Sequence, residues 1–220
     1  MSERWRKVGE FRNELSLAVG LTDAVTGGQP VGDVDVTITG VDEQPVRNRS
    51  GYYLFFDLPA EERTVTVDGG EQYQNASTLV ELDPSSHDPG EATELTLEPT
   101  TAYQFPAGVT RVRGTVFEKQ PNGDLVPVPG ADVSVVGHTR TVRTNDAGEF
   151  VYYFDVENVD VVHADTDNDS TTPKVRVYRP GGSDPEFTFD PDPSDSQSGF
   201  SDSFPVEVGR LTTHDLVYEP

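Results

Sequence analysis

Four histidines, His87, His138, His163 and His214, are the first residues to weigh for chemistry. A helical zinc-protease motif sets two histidines four apart, and none of these stands two or four residues from another. Isolated surface or turn histidines are therefore expected. Asp165, Asp167 and Asp169 alternate as the opening of a calcium loop does. The sixth position of that loop is Ser170 where glycine is needed, and the twelfth is Arg176 where a bidentate glutamate belongs. The trio is a calcium candidate only in its first half, and no metal or cofactor is expected. No GxGxxG, GxxxxGK[ST] or GxSxG run occurs, so neither a phosphate cradle nor a nucleophile elbow is visible. Cysteine is absent, which removes disulfides, thiolate metal sites and cysteine nucleophiles together. No catalytic residue is expected, and the chain reads as a non-enzyme.

Two other groups of side chains suit binding. Tyr52, Tyr53, Phe55 and Phe56 resemble a stacking platform for sugars, but alternate members of a strand face opposite ways. A strand covered on both faces explains the run better. The N-terminal arm is the more informative feature. Arg4, Arg6, Lys7 and Arg12 place four of the 16 basic residues within the first dozen positions, around Trp5 and with Phe11 nearby. Tryptophan and arginine dominate interface hot spots, so these six residues are candidates for partner binding. The alternative is that Trp5 and Phe11 fold back onto their own domain.

The elements that would position such residues are strands. Leu15, Leu17, Val19 and Leu21 alternate, as do Val34, Val36 and Ile38, Val65 and Val67, Leu95 and Leu97, and Val133 and Val135. Phe150, Tyr152 and Phe154, Val175 and Val177, and Val206 and Val208 continue the pattern. Each set marks one buried side of a sheet, and no stretch of helical period intervenes. The chain also repeats itself. A gapless shift of about 97 residues lays Val36 on Val133, Ile38 on Val135, Asn48 on Asn145, Gly51 on Gly148 and Tyr53 on Phe150. A repeat this long fits a duplicated domain. Residues 1–12 are expected as an arm, 13–100 as a first sandwich and 101–220 as a second, with a boundary near Glu98-Pro99-Thr100-Thr101. A Pro-, Gly-, Ser- and Asp-rich loop is expected at about 180–205, pinned through Phe187, Phe189, Phe200 and Phe204.

Three runs of the second repeat carry a resemblance: Gly114-Thr115-Val116, then Pro127-Val128-Pro129-Gly130-Ala131-Asp132-Val133-Ser134-Val135, then Thr144-Asn145-Asp146-Ala147-Gly148-Glu149-Phe150. Together they resemble the carboxypeptidase-regulatory-like family, whose fold is a prealbumin-like (transthyretin-like) β-sandwich. The first repeat looks like a diverged copy, with Asp33 where that family has Gly and Arg49 where it has Asp. The resemblance implies an all-β chain of two tandem Ig-like or prealbumin-like antiparallel sandwiches and brings no catalytic residue.

The charge is extreme. Asp and Glu number 39 against 16 Lys and Arg, a formal net charge of −23, and lysine occurs only at Lys7, Lys119 and Lys174. Such a chain lacks the basic patches that phosphate neutralisation needs, so nucleic acid is not expected as a partner. Many carboxylates with few lysines suit a high-salt environment, where the Debye length falls to about 3 Å at 1 M. No window of 18 apolar residues occurs, so no membrane-spanning helix is expected. The start, Met-Ser-Glu-Arg-Trp-Arg-Lys, lacks the apolar stretch of a secretory signal. Synthesis in the cytoplasm and release with a particle is the expectation. Domains of the family resembled also decorate tailed viruses and contractile injection particles. The expected function is thus a structural or adaptor subunit of such a particle, present in several copies among other protein subunits; the alternative is a cell-surface or glycan-binding module. The charge yields a first prediction. Circular dichroism and melting should differ between low and molar salt, and superimposable curves would contradict the electrostatic argument.

Overall fold

The computed structural model describes residues 14–82, 92–154, 184–191 and 200–220, with the backbone of 162–165 and 174–177. The chain divides into two compact units, Met1–Pro99 and Thr100–Pro220. Every regular element among the described residues is a β-strand.

In the first unit, strands β1 (Leu15–Asp23), β3 (Val46–Arg47), β4 (Tyr53–Phe56) and β7 (Thr93–Leu97) form one sheet in the order β3-β4-β1-β7. Strands β2 (Asp35–Ile38), β5 (Glu62–Asp68) and β6 (Ala76–Glu81) form another, with β5 central. Period-two burial selects these strands. β2 exposes Asp35 and Thr37 while burying Val36 and Ile38, and β5 exposes Thr66 and Asp68 while burying Val65 and Val67. Val19, Val36, Val65, Val67 and Leu97 are withdrawn completely from water. Each such side chain contributes about 1.5–3 kcal/mol relative to exposure. Leu15 departs from the expected face and is 40% exposed. The pairing of β1 with β4 slips between Leu15 and Leu17, and a bulge of this kind re-aims the side chain before it.

The second unit is built around β8 (Arg111–Lys119). β12 (Glu149–Tyr153) lies antiparallel on one side, while β18 (Leu211–Thr213) and β19 (Leu216–Tyr218) pair with successive parts of β8 in parallel. β9 (Leu125–Pro127) returns as a hairpin on the end of β8. A further sheet runs β11 (Thr141–Arg143), β10 (Asp132–Val135), β15 (Glu186–Asp190), β16 (Phe200–Ser203). A small one runs β13 (Val162–Asp165), β14 (Lys174–Val177), β17 (Val206–Glu207). One apolar cluster joins Val112, Val116, Val133, Val135, Phe150, Tyr152, Phe187, Phe204 and Leu216. Phe187 and Phe204 stack at 4.6 Å, and Tyr152 meets Phe187 edge-on at 5.7 Å.

The tandem β-sandwich reading stands, and the pairing adds a detail to it: among the described residues most strand pairs are antiparallel, while β1–β7, β8–β18 and β8–β19 are parallel. A parallel pair needs a long crossover, and in the first unit the chain supplies one by passing through β2, β5 and β6 before β7 returns beside β1. The stretch at 180–205 was expected as a loop, yet it contains β15 and β16, paired from Glu186–Ser203 to Phe189–Phe200. Phe187 and Phe189, two residues apart and both buried, set strand geometry there despite the surrounding prolines and glycines.

The internal repeat is visible in the turns. In the first unit the Asn48 N–H donates to Tyr52 O at 2.9 Å, and the Asn48 side-chain oxygen accepts from Tyr52 N at 3.0 Å. In the second, Asn145 N–H donates to Glu149 O at 2.9 Å and its Oδ1 accepts from Glu149 N at 2.9 Å. Gly51 and Gly148 close these turns at φ 91° and 74°, a region that a side chain disfavours. β12 is covered on both faces. Its outer Tyr153 is buried beside Phe105, 5.7 Å between rings, with Arg140 lying 3.7 Å over the Tyr153 ring. Phe105 in turn meets the buried Tyr103 edge-on at 4.7 Å. At the C-terminal strand, burial and then the neighbouring Glu118 carboxylate, which accepts the Tyr218 hydroxyl at 3.3 Å, push that hydroxyl above its ordinary pKa.

The acidic excess reaches the sheets themselves. Asp35 stands opposite Asp68, Glu62 opposite Glu81, and Asp132 opposite Asp190. Like charges directly across a strand pair are destabilising, by roughly 0.2–1 kcal/mol. Glu81→Lys should therefore raise the melting temperature at low salt by turning repulsion from Glu62 into attraction. The gain should vanish in molar salt, as calorimetry at both ionic strengths would reveal.

Candidate functional site

The first unit carries an open groove of about 270 Å³. Four chain segments meet there: the end of β1 at Gly20–Thr22, the loop at Gly27–Gln29, the turn at Ser50–Tyr52, and Glu94 on β7. Side chains committed to backbone hold the loop after β1 and the Ser50–Tyr52 turn. Asp23, 1% exposed, ends β1 and accepts from Val25 N at 2.7 Å and Thr26 N at 3.3 Å through Oδ1. Its Oδ2 accepts the Tyr73 hydroxyl at 3.1 Å, and the same hydroxyl accepts from Val31 N at 3.0 Å. This chain of bonds fixes the loop that follows β1. Gln29 then reaches across to the Asn48–Tyr52 turn, where its Nε2 donates to Ser50 O at 2.7 Å.

Two glycines shape the floor. Gly20 sits in the middle of β1 opposite Glu94 of the parallel β7. The space that a Gly20 side chain would fill holds the Glu94 carboxylate instead. The space above Gly51 is taken by the Gln29 amide. A glycine inside a strand weakens it and commonly marks a place where another group approaches closely. Among the described residues nothing donates a hydrogen bond to the Glu94 carboxylate or to Gln29 Oε1. The groove thus presents these acceptors, with Tyr52 and no cationic residue among its lining. Such a surface can hold a ligand that brings donors.

The residues singled out from sequence fall elsewhere. The arm residues Arg4, Trp5, Arg6, Lys7, Phe11 and Arg12 lie outside the described residues, as do His87, Asp167 and Asp169. Asp165 and His163 lie on β13, described by its backbone alone. No three His, Asp or Glu side chains come together as metal ligands among the described residues. His138 sits in a turn, its N–H donating to Val135 O at 3.0 Å and its ring edge-on to Phe154 at 5.4 Å. His214 has an acidic partner. Its Nε2 lies 2.8 Å from Asp202 Oδ2 and its ring stacks on Phe204 at 3.8 Å. Sequence carried no signal for that pair, whose members stand twelve positions apart, Asp202 on β16 and His214 in the turn between β18 and β19. The other ring nitrogen meets no hydroxyl among the described residues, so the nucleophile of a triad is missing and the pair ties β16 to the β18–β19 turn. Of the aromatic run, Tyr53 and Phe55 enter the core and only Tyr52 reaches the groove.

No family model matches the sequence, and no curated protein matches it. Solved structures with strand-built folds are similar at a distance. The Bacillus anthracis TIE protein matches with a TM-score of 0.31 and 10% identity over 94% of this chain and 34% of that one. GBS52, the minor pilin of Streptococcus agalactiae, gives 0.28 and 8% over 93% and 96%. A streptococcal ancillary pilin gives 0.26 and 10% over 92% and 68%. The chain spans about a third of the length of the first. At these scores no activity or partner transfers.

The bonds that hold the loop after β1 generate a prediction. Tyr73→Phe removes the hydroxyl that joins Asp23 to Val31, and so takes one hydrogen bond from the buried Asp23 carboxylate and one from the Val31 N–H. A loss of about 1–3 kcal/mol is expected in urea unfolding, with an unchanged slope. An unaltered midpoint would show that the bonds contribute nothing.

Proposed function

We propose that this chain is a non-catalytic β-sandwich module that works at a surface, holding binding positions on rigid strands, and that the groove beside Gly20 and Glu94 is one such position. The observation that carries the reading is the use made of the polar side chains at the strand ends. Asp23, Asn48, Tyr73 and Asn145 all hold backbone, and Thr144 does the same through Ala131 N and Val128 O, both at 2.8 Å. These groups have the geometry of a scaffold. The groove floor, by contrast, offers acceptors, on Glu94 and Gln29, that meet no donor among the described residues. Display at a cell surface, with a glycan or a protein as ligand, accounts for an acceptor-lined groove on an otherwise structural domain. Service as a subunit of a virus-like or injection particle is the narrower form of the same reading.

The test is fractionation. Purified in molar salt, the chain should bind isolated cell envelopes or co-sediment with an assembled particle, and should turn over no substrate in esterase, glycosidase and peptidase panels. Robust turnover that survives mutation of the groove would overturn the proposal. So would a chain that stays free of every envelope and particle fraction.

A further inference from the structure

We infer that the groove of the first unit is a site for an organic cation, a protonated amine or a guanidinium, with Glu94 as its counter-charge. The inference rests on the surface-binding reading above and names the chemistry of its ligand. Three observations converge on it. The Glu94 carboxylate lies in the space left by the missing side chain of Gly20, so its position is set by the strand beneath it. That carboxylate and Gln29 Oε1 meet no donor among the described residues. Tyr52 lines the same groove, and an aromatic residue can attract a cation to its ring face.

Size and charge narrow the ligand. At about 270 Å³ the groove is slightly below the usual range for drug-sized molecules, so it accommodates one sugar ring or the end of one side chain. An anion would face both Glu94 and the field of a chain with formal charge −23. A neutral sugar would gain only hydrogen bonds. A cation gains a charge-assisted bond at Glu94 and is steered there by the same field. Two sources supply this chemistry, an amino sugar and a basic side chain.

The experiment is amide chemical-shift titration of the whole chain at physiological ionic strength, with glucosamine, N-acetylglucosamine and L-argininamide as probes. Glucosamine or argininamide should move the signals of Gly20, Gln29, Gly51 and Glu94, while N-acetylglucosamine should not. The stronger cation identifies the source. Glu94→Gln should weaken binding about tenfold or more, the scale of a charge-assisted hydrogen bond. Gly20→Ala provides a second variant. Gly20 is not among the positive-φ glycines, and its new methyl would displace only the flexible end of Glu94. It should lose binding while keeping the fold. Glu81→Gln removes an equal charge from β6 and should bind as the parent does. Equal shifts with N-acetylglucosamine would overturn the requirement for charge. Equal weakening by Glu81→Gln and Glu94→Gln, or no shift at the groove, would overturn the site. An empty groove on a chain that still binds envelopes or particles would leave the broader reading standing.

Discussion

Alternate side chains on short strands must be withdrawn from water in a chain that otherwise repels itself, and the rest of the structure follows from that constraint. Val19, Val36, Val65 and Val67 in one unit, and Val112, Val116, Val133 and Phe150 in the other, lose all contact with solvent. Some of their neighbours in sequence are carboxylates that face outward, Asp35 beside Val36 and Asp68 beside Val67 among them. The result is carboxylates facing carboxylates across the ladder at Asp35–Asp68 and Glu62–Glu81. Hydrophobic burial must exceed this repulsion at every ionic strength where the protein is folded.

The same constraint divides labour among the polar residues. Strand ends need their backbone groups satisfied, since an unpaired buried amide costs about as much as a lost hydrogen bond. Asp23 and Tyr73 do this after β1, Asn48 before β4, Asn145 before β12. These residues are held by what they hold, so each loop is tied at more than one point. Gly20 and Gly51 then create relief in the surface by omission: where a side chain would stand, the ends of Glu94 and Gln29 rest. A binding surface formed this way requires no motif, only two glycines and the parallel strand that brings Glu94 alongside.

Much of the fold could be read from the residues because burial with period two is local. Val65 and Val67, or Val133 and Val135, announce their strand and its inner face. The exceptions have physical causes. Leu15 lies before a bulge that no residue type signals, and Phe187 and Phe189 form a strand inside a stretch whose prolines and glycines suggested a loop. The parallel placement of β7 beside β1 depends on how the chain crosses between sheets, which is a property of topology. The groove was illegible for the same reason. Its parts come from Gly20, Gln29, Gly51 and Glu94, spread over more than seventy positions, and the Asp23–Tyr73 bond beneath spans fifty. The one local hint was a glycine in the centre of an apolar strand.

The turns framing the groove should be rigid before any ligand arrives. Amide hydrogen exchange on the free protein tests this directly. Val25, Val31 and Tyr52, whose N–H groups are held by Asp23, Tyr73 and Asn48, should exchange as slowly as the flanking strand amides of β1 and β4. Exchange of these three at the rates of an unstructured peptide, beside slow strand amides, would contradict the account, since the groove would then form only around a ligand.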